Sequence, residues 1–283
     1  MTSPGLIDPR ELTTLLRRKA PQILIADCRY SLTDPTAGAK AYEQGHIPGA
    51  VYVDLGELLS ETTTGMNGRH PLPDPQTFAD GLAALGVSHD TLVVAYDAED
   101  AMFAARLWWM LRWIGHEKVR VLDGGLRAWT EAGGELSTDT AVRERGNIGL
   151  RHRAMPTATF SDVRRNLETR EKQLLDARSP DRYRGENETI DPIGGRIPGA
   201  LNRFFKSNLG PDGRFKPAEV LREEFRAVLG DVSPENVIHQ CGSGVSACHN
   251  LLAMEVAGLP GGTLYPGSWS EWCRQRDVPV ERG

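Results

Sequence analysis

Gly45-His46-Ile47-Pro48-Gly49-Ala50 returns as Gly195-Arg196-Ile197-Pro198-Gly199-Ala200, an offset of 150 positions (195 − 45) in a chain of 283 residues. Upstream of each copy an apolar run ends in Asp-x-Arg: Ile25-Ala26-Asp27-Cys28-Arg29 first, Leu174-Leu175-Asp176-Ala177-Arg178 second. Downstream, Val121-Leu122-Asp123-Gly124-Gly125-Leu126-Arg127-Ala128-Trp129 parallels Leu264 to Trp272, an offset of 143 (272 − 129). Three matches in one order at similar offsets mark a duplication. Length agrees, since domains of roughly 100–150 residues would fit twice.

Each half repeats the same order of elements. Short apolar runs predict strands at Ile23–Ala26, Leu92–Ala95 and Val119–Leu122, then at Gln173–Leu175, Asn236–His239 and Thr263–Tyr265. Helical periodicity predicts helices over Phe78–Leu85, Ala101–Ile114, Glu219–Leu229 and Ser246–Ala257. Strand-like runs alternating with helices predict an α/β fold of two tandem domains, each a mostly parallel sheet flanked by helices. The expected halves are residues 1–140 and 157–283. The polar stretch from Ser137 to Thr159, with Arg143, Arg145, Arg151 and Arg153, reads as their connector.

The stretch that carries chemistry is Asn236-Val237-Ile238-His239-Gln240-Cys241-Gly242-Ser243-Gly244-Val245-Ser246-Ala247. A strand runs into a cysteine, then a loop with two glycines, then a helix. Ligands of open α/β sheets bind at this carboxyl edge. Glycines let successive N–H groups converge as an anion nest, and the helix N-terminus adds to that field. Such a cradle favours the thiolate over the thiol and equally suits a persulfide anion. Cys28, Cys248 and Cys273 lack this context and read as packing residues. A cysteine-dependent phosphatase would need an arginine six positions after the cysteine to clamp phosphate; Ala247 stands there.

Cys241 to Ala247 resembles the active loop of tandem-domain sulfurtransferases of the rhodanese superfamily. The pattern is Cys-Gly-Ser-Gly-Val-Thr-Ala in 3-mercaptopyruvate sulfurtransferases and more often Cys-Arg-Lys-Gly-Val-Thr-Ala in thiosulfate sulfurtransferases. The resemblance extends over nearly the whole chain, including Asp123-Gly124-Gly125 and Gly267-Ser268-Trp269-Ser270-Glu271-Trp272. It implies a catalytic second half and a first half without its cysteine, where Tyr96-Asp97-Ala98-Glu99-Asp100 follows the matching strand. It further implies that Cys241 carries sulfur as a persulfide, from 3-mercaptopyruvate or thiosulfate to cyanide, a small thiol or thioredoxin. Arg184, in Asp181-Arg182-Tyr183-Arg184-Gly185, matches the arginine expected to hold a substrate carboxylate. The further arginine of the animal mercaptopyruvate enzymes is absent from Glu186–Asp191. Ser243 is a candidate to polarise the donor, and His70 a minor candidate facing it. Ser246 replaces the usual threonine as an expected helix cap. An uncharged loop favours a monoanionic 2-oxo-acid thiol over dianionic thiosulfate. A non-catalytic sulfur-carrier or interaction module is the rival reading.

Composition excludes other classes. The net charge is −5 and no Lys/Arg block occurs, so no nucleic-acid partner is expected. The N-terminus does not read as a signal peptide, and no run approaches the ~18 apolar residues of a membrane span. Four scattered cysteines, with no Cys-x-x-Cys pair and no zinc spacing, predict free thiols in a reducing, cytoplasmic setting. No metal or organic cofactor is expected. His46 and His239 read as structural, as do Trp108, Trp109, Trp269 and Trp272.

Overall fold

The computed structural model describes residues 4–18, 22–98, 100–151 and 155–283. Met1–Ser3 of the first half, Glu99 and Arg153 lie outside these residues. The chain forms two compact units. The first comprises residues 1–61, 73–154 and 210–215, the second 62–72, 155–209 and 216–283.

The first unit runs β1 (Leu6–Ile7), α1 (Pro9–Arg17), β2 (Ile23–Asp27), α2 (Ala37–Gln44), β3 (Ala50–Tyr52), α3 (Pro75–Ala84), β4 (Leu92–Tyr96), α4 (Met102–Trp113), β5 (Val119–Leu122) and α5 (Gly125–Glu131). Its five strands lie in the order β1-β5-β4-β2-β3, every pair parallel. The central strands read ILIAD and LVVAY, near-continuous apolar runs expected of strands covered on both faces. The core gathers Ile7, Leu12, Ile25, Ile47, Val94, Tyr96 and Trp129. Pro75 at the first turn and the Asp74 side chain, which accepts from the amides of Gln76 and Thr77, start α3.

The second unit runs α6 (Phe160–Thr169), β6 (Gln173–Asp176), α7 (Pro180–Arg184), β7 (Leu201–Asn202), α8 (Ala218–Leu229), β8 (Val237–Gln240), α9 (Ser246–Val256), β9 (Thr263–Leu264) and α10 (Ser268–Trp272). Its strands order as β7-β6-β8-β9, again all parallel. A short 3-10 turn over Pro234–Asn236 delays the start of β8 to Val237. Trp269 and Trp272 are fully buried, as are Trp108 and Trp109 in the first unit.

The duplicated motifs do the same job in each unit. The Arg29 guanidinium grips Asp27 at 2.6 Å and donates to the Gly45 carbonyl at 2.8 Å. Arg178 grips Asp176 at 2.7 Å and donates to the Gly195 carbonyl at 2.7 Å. Asp-x-Arg therefore anchors the strand end to the Gly-x-Ile-Pro-Gly-Ala turn. That turn needs its second glycine, because Gly49 and Gly199 have φ of +78° and +77°. No helix among the described residues is long and apolar enough to cross a membrane.

Candidate active site

β8 is buried along its length between β6 and β9, and it delivers Cys241 to the carboxyl edge of the sheet. Four residues, Gly242 to Val245, separate Cys241 from α9. Gly244 adopts φ of +76°, and a Cβ there would lie 2.5 Å from the Pro266 carbonyl oxygen. Only glycine fits. This turn aims the Gly244 N–H at the Cys241 Sγ, 3.1 Å away. The nest expected from the sequence is thus formed at least in this contact, beside the N-terminus of α9.

The start of α10 holds the loop from behind. The Cys241 amide donates to Ser268 Oγ at 3.1 Å, and that hydroxyl donates to the Tyr265 carbonyl at 2.9 Å. Ser268 sits at φ +53°, a costly conformation for a non-glycine residue. The amides of Trp269 and Ser270 donate to the carbonyls of Cys241 and Gly242 at 3.0 and 2.9 Å. Gly267-Ser268-Trp269-Ser270 is therefore a clamp on the Cys241 loop.

Ser243 and His70 come together as expected: His70 Nδ1 and Ser243 Oγ are 2.8 Å apart, both side chains buried. Ser246 does not cap α9. The N-cap is Val245, already helical at φ −86° and ψ −64°, with no side-chain cap bond, and Ser246 opens the first turn. Ala247 is fully buried. Cys28 and Cys273 are buried packing residues, and burial, the larger cause, pushes both thiols up. Cys248 is buried too, but its thiol donates to the Gly244 carbonyl at 3.3 Å, so it touches the loop.

Arg184 is not at the loop's side. Its guanidinium is 41% exposed and closes on Glu186 at 2.7 Å. Arg182 takes the place foreseen for it. A Cβ built on Gly242 would lie 3.5 and 3.6 Å from Arg182 Nη1 and Nη2, and 3.1 Å from Arg69 Nη2. Two residues along a helix differ by about 200°, so α7 can turn only one of its two arginines toward the loop. Arg182 is held there by Glu188, through Nε at 3.1 Å and Nη2 at 2.9 Å, and by Asp191 at 3.3 Å. Burial alone would raise the Glu188 carboxyl; the amides of Asp191 and Ile190, with Arg182, bring it below its ordinary value.

The loop thus carries no charged side chain, yet two guanidinium groups flank it. Loop composition is not site charge, and the preference for a monoanion drawn from it loses that support. Arg69, Arg182, Asp191, Ser268 and Ser270 were not singled out in the sequence as site residues. They sit in four separate segments: the Leu264–Trp272 repeat match covered Ser268 and Ser270, the Asp181–Gly185 segment contained Arg182, and neither Arg69 nor Asp191 had such a signal. Among the described residues, no group of three or more His, Cys, Asp or Glu side chains is placed to hold a metal.

Comparison with known proteins bears on this geometry. The family model described as "Rhodanese-like domain" matches residues 8–132 and again 159–275. The chain belongs to the rhodanese-like family. Each of its units carries one rhodanese-like domain, and the nest described above lies in the second. Over 285 residues, all of both chains, it is 43% identical to the "Probable 3-mercaptopyruvate sulfurtransferase" of Pseudomonas aeruginosa. It is 34% identical over 278 residues to the mouse "Thiosulfate sulfurtransferase", covering 96% of this chain and 92% of that one. Among solved structures, the 3-mercaptopyruvate sulfotransferase SseA of Escherichia coli superposes with a TM-score of 0.82 at 32% identity. The match covers 94% of this rhodanese-like chain and 99% of that one.

Proposed function

We propose that this chain is a sulfurtransferase that moves sulfur from 3-mercaptopyruvate, through a persulfide on Cys241, to a thiophilic acceptor. The observation that carries the reading is the Gly244 amide donating to the Cys241 sulfur within a glycine-built nest. Fixed dipoles of this kind stabilise an anionic sulfur without reorganisation. The Cys241 thiolate attacks the donor sulfur; the new S–S bond forms as the C–S bond breaks. The electron pair of the broken bond stays on the three-carbon fragment, the enolate of pyruvate. The former thiol proton ends on its methyl carbon, so a Cys241 persulfide anion and pyruvate remain. An acceptor such as cyanide, a small thiol or reduced thioredoxin then takes the outer sulfur, which predicts ping-pong kinetics.

The buried pair of His70 and Ser243 favours mercaptopyruvate over thiosulfate. Its departing enolate needs a proton, and a hydroxyl backed by an imidazole is suited to move one. Sulfite leaving thiosulfate needs none. Arg182, rather than Arg184, would hold the donor's anionic end. The two guanidiniums beside Gly242 also suit dianionic thiosulfate, and curated relatives bear both names. Catalysis is assigned to the second unit, with the first as its non-catalytic duplicate. The four cysteines, none of which forms a disulfide among the described residues, support a reducing, cytoplasmic setting. The test is steady-state sulfur transfer to cyanide with the two donors in parallel. A higher kcat/KM with 3-mercaptopyruvate is expected; a thiosulfate win reverses the donor assignment, and silence with both donors favours a non-catalytic module.

A further inference from the structure

The first unit keeps a crevice at the place in its sheet where the second unit keeps Cys241. In the order β1-β5-β4-β2-β3 the chain steps one way from β2 to β3 and the other way from β4 to β5. The carboxyl ends of β2 and β4 therefore flank the point where direction reverses, the usual ligand site of an open parallel sheet. The second unit reverses between β6 and β8, and the segments after those strands carry Arg182 and Cys241. Between the corresponding segments of the first unit lies a cavity of about 230 Å³. Arg29, Tyr30, Asp97, Asp100 and Phe103 line it, together with the start of α2. It has room for about seven water-sized groups, the size of a small organic molecule.

Its chemistry reverses that of the second unit. Two guanidiniums flank the Cys241 loop, whereas two acids line this cavity. Tyr30 to Thr36, which follow the Asp-x-Arg motif, include no cation. The Arg29 guanidinium is already taken by Asp27 and the Gly45 carbonyl. Asp97 is fixed in place by the amides of Ala101, Phe103 and Ala104, and Asp100 accepts from the Met102 amide at 3.3 Å. Burial, and then the charge of Asp100, push the Asp97 carboxyl up to about 7, so the two acids repel each other. A cation set against them relieves that repulsion. Tyr30 and Phe103 meet edge to face with ring centroids 5.6 Å apart, and aromatic faces attract cations that carry apolar groups. A metal ion fits less well, since no group of three acidic, His or Cys side chains is placed to hold one among the described residues.

We propose that this crevice binds a small organic ammonium ion, its charge against Asp97 and Asp100 and its apolar groups against Tyr30 and Phe103. The site goes beyond the sulfurtransferase reading and does not depend on it. Choline is titrated into the full chain by calorimetry above about pH 7, where Asp97 is ionised. The control is the uncharged analogue of choline that has carbon in place of nitrogen. Choline binds saturably, and the analogue binds at least about tenfold more weakly, as expected for a lost cation–π and charge contact. Asp100→Asn and Tyr30→Ala each weaken choline by about three- to tenfold. Cys241→Ser leaves its binding unchanged. No saturable uptake of choline, or equal affinity for the analogue, overturns the assignment. So does full binding in both first-unit variants, or a loss in Cys241→Ser in their place. The comparison of choline with its analogue uses the wild-type chain, so it decides the matter even where a variant fails to fold.

Discussion

The loop after β4 and the loop after β8 are the same length and hold opposite contents. Four residues separate Asp97 from α4, and four separate Cys241 from α9. In the first unit the acceptor is a fixed part of the chain. Asp97 accepts from the amides of Ala101 and Phe103 at 2.9 Å each and from Ala104 at 3.3 Å. In the second unit a sulfur occupies the corresponding position and receives the Gly244 amide at 3.1 Å. One backbone design, a strand running into amide donors at a helix start, thus serves two ends. Filled by a carboxylate it satisfies itself and stabilises the unit. Filled by a thiol it is left, on the proposed function, to stabilise charge that arises only during reaction.

The largest expected effect comes from emptying the first nest. Asp97→Ala leaves three buried amides without a partner, at ~1–3 kcal/mol for each unsatisfied group. Urea unfolding should show a loss of at least ~3 kcal/mol confined to the first unit, while kcat per folded molecule stays nearly constant. A variant as stable as wild type would mean that the carboxylate does not hold the loop.

Gly244→Ala attacks the second nest through its backbone. The positive φ and the Pro266 carbonyl both exclude a Cβ, so the Gly244 N–H should swing off the sulfur. Transfer should fall by about tenfold or more, the usual scale for removing one preorganised donor. Full activity would show that this amide is not part of the cradle.

The two units should also respond to pH in opposite directions. Burial pushes the Asp97 carboxyl up to about 7, aided by the charge of Asp100, with its amide donors pulling the other way. An acid raised in the folded state binds more protons there than when unfolded. Stability from Asp97 is therefore greatest below its ordinary value of 3.8 and is lost as pH rises toward 7. His239, on β8, is buried without partners, and desolvation lowers it from 6.5 to about 3. The unfolded chain takes up that proton first, so the second unit loses stability as pH falls below 6.5. The loss should reach ~2 kcal/mol by about pH 5, and His239→Leu should abolish it in denaturant titrations. An unchanged pH slope in that variant would remove His239 from the account.

The smallest effect concerns Ala101, which caps α4 at φ +57°, whereas the corresponding cap of α9, Val245, sits at φ −86°. Ala101→Gly should relieve left-handed strain and raise stability by ~0.5 kcal/mol, read as a small increase in Tm.

How much of this was legible in the sequence follows from how local each feature is. The repeats, the parallel sheets and the Cys241 loop are contiguous strings, and each of these was readable. The cap at Val245 was not, because the dihedrals of Gly244 and Val245 set where α9 begins. Nor was the arginine: Arg182 and Arg184 differ only by helix phase, and phase is fixed by what α7 packs on. The pairing of Arg69 with Asp191 spans 122 positions and has no sequence period at all. Short helices such as α1, α2 and α6 escaped because each buries few residues. Thr159 and Asp162 form a capping box at the start of α6, a signal that was present but was absorbed into the connector.

The central claim is that the second nest exists to carry sulfur on Cys241. The most direct test is intact-protein and peptide mass spectrometry after exposure to 3-mercaptopyruvate with no acceptor, comparing wild type with Cys241→Ser. The account predicts a gain of one sulfur atom on the peptide containing Cys241, removed by cyanide and absent from the Ser variant. Unmodified Cys241 in folded, reduced protein, or added sulfur on Cys28, Cys248 or Cys273 in its place, would contradict it.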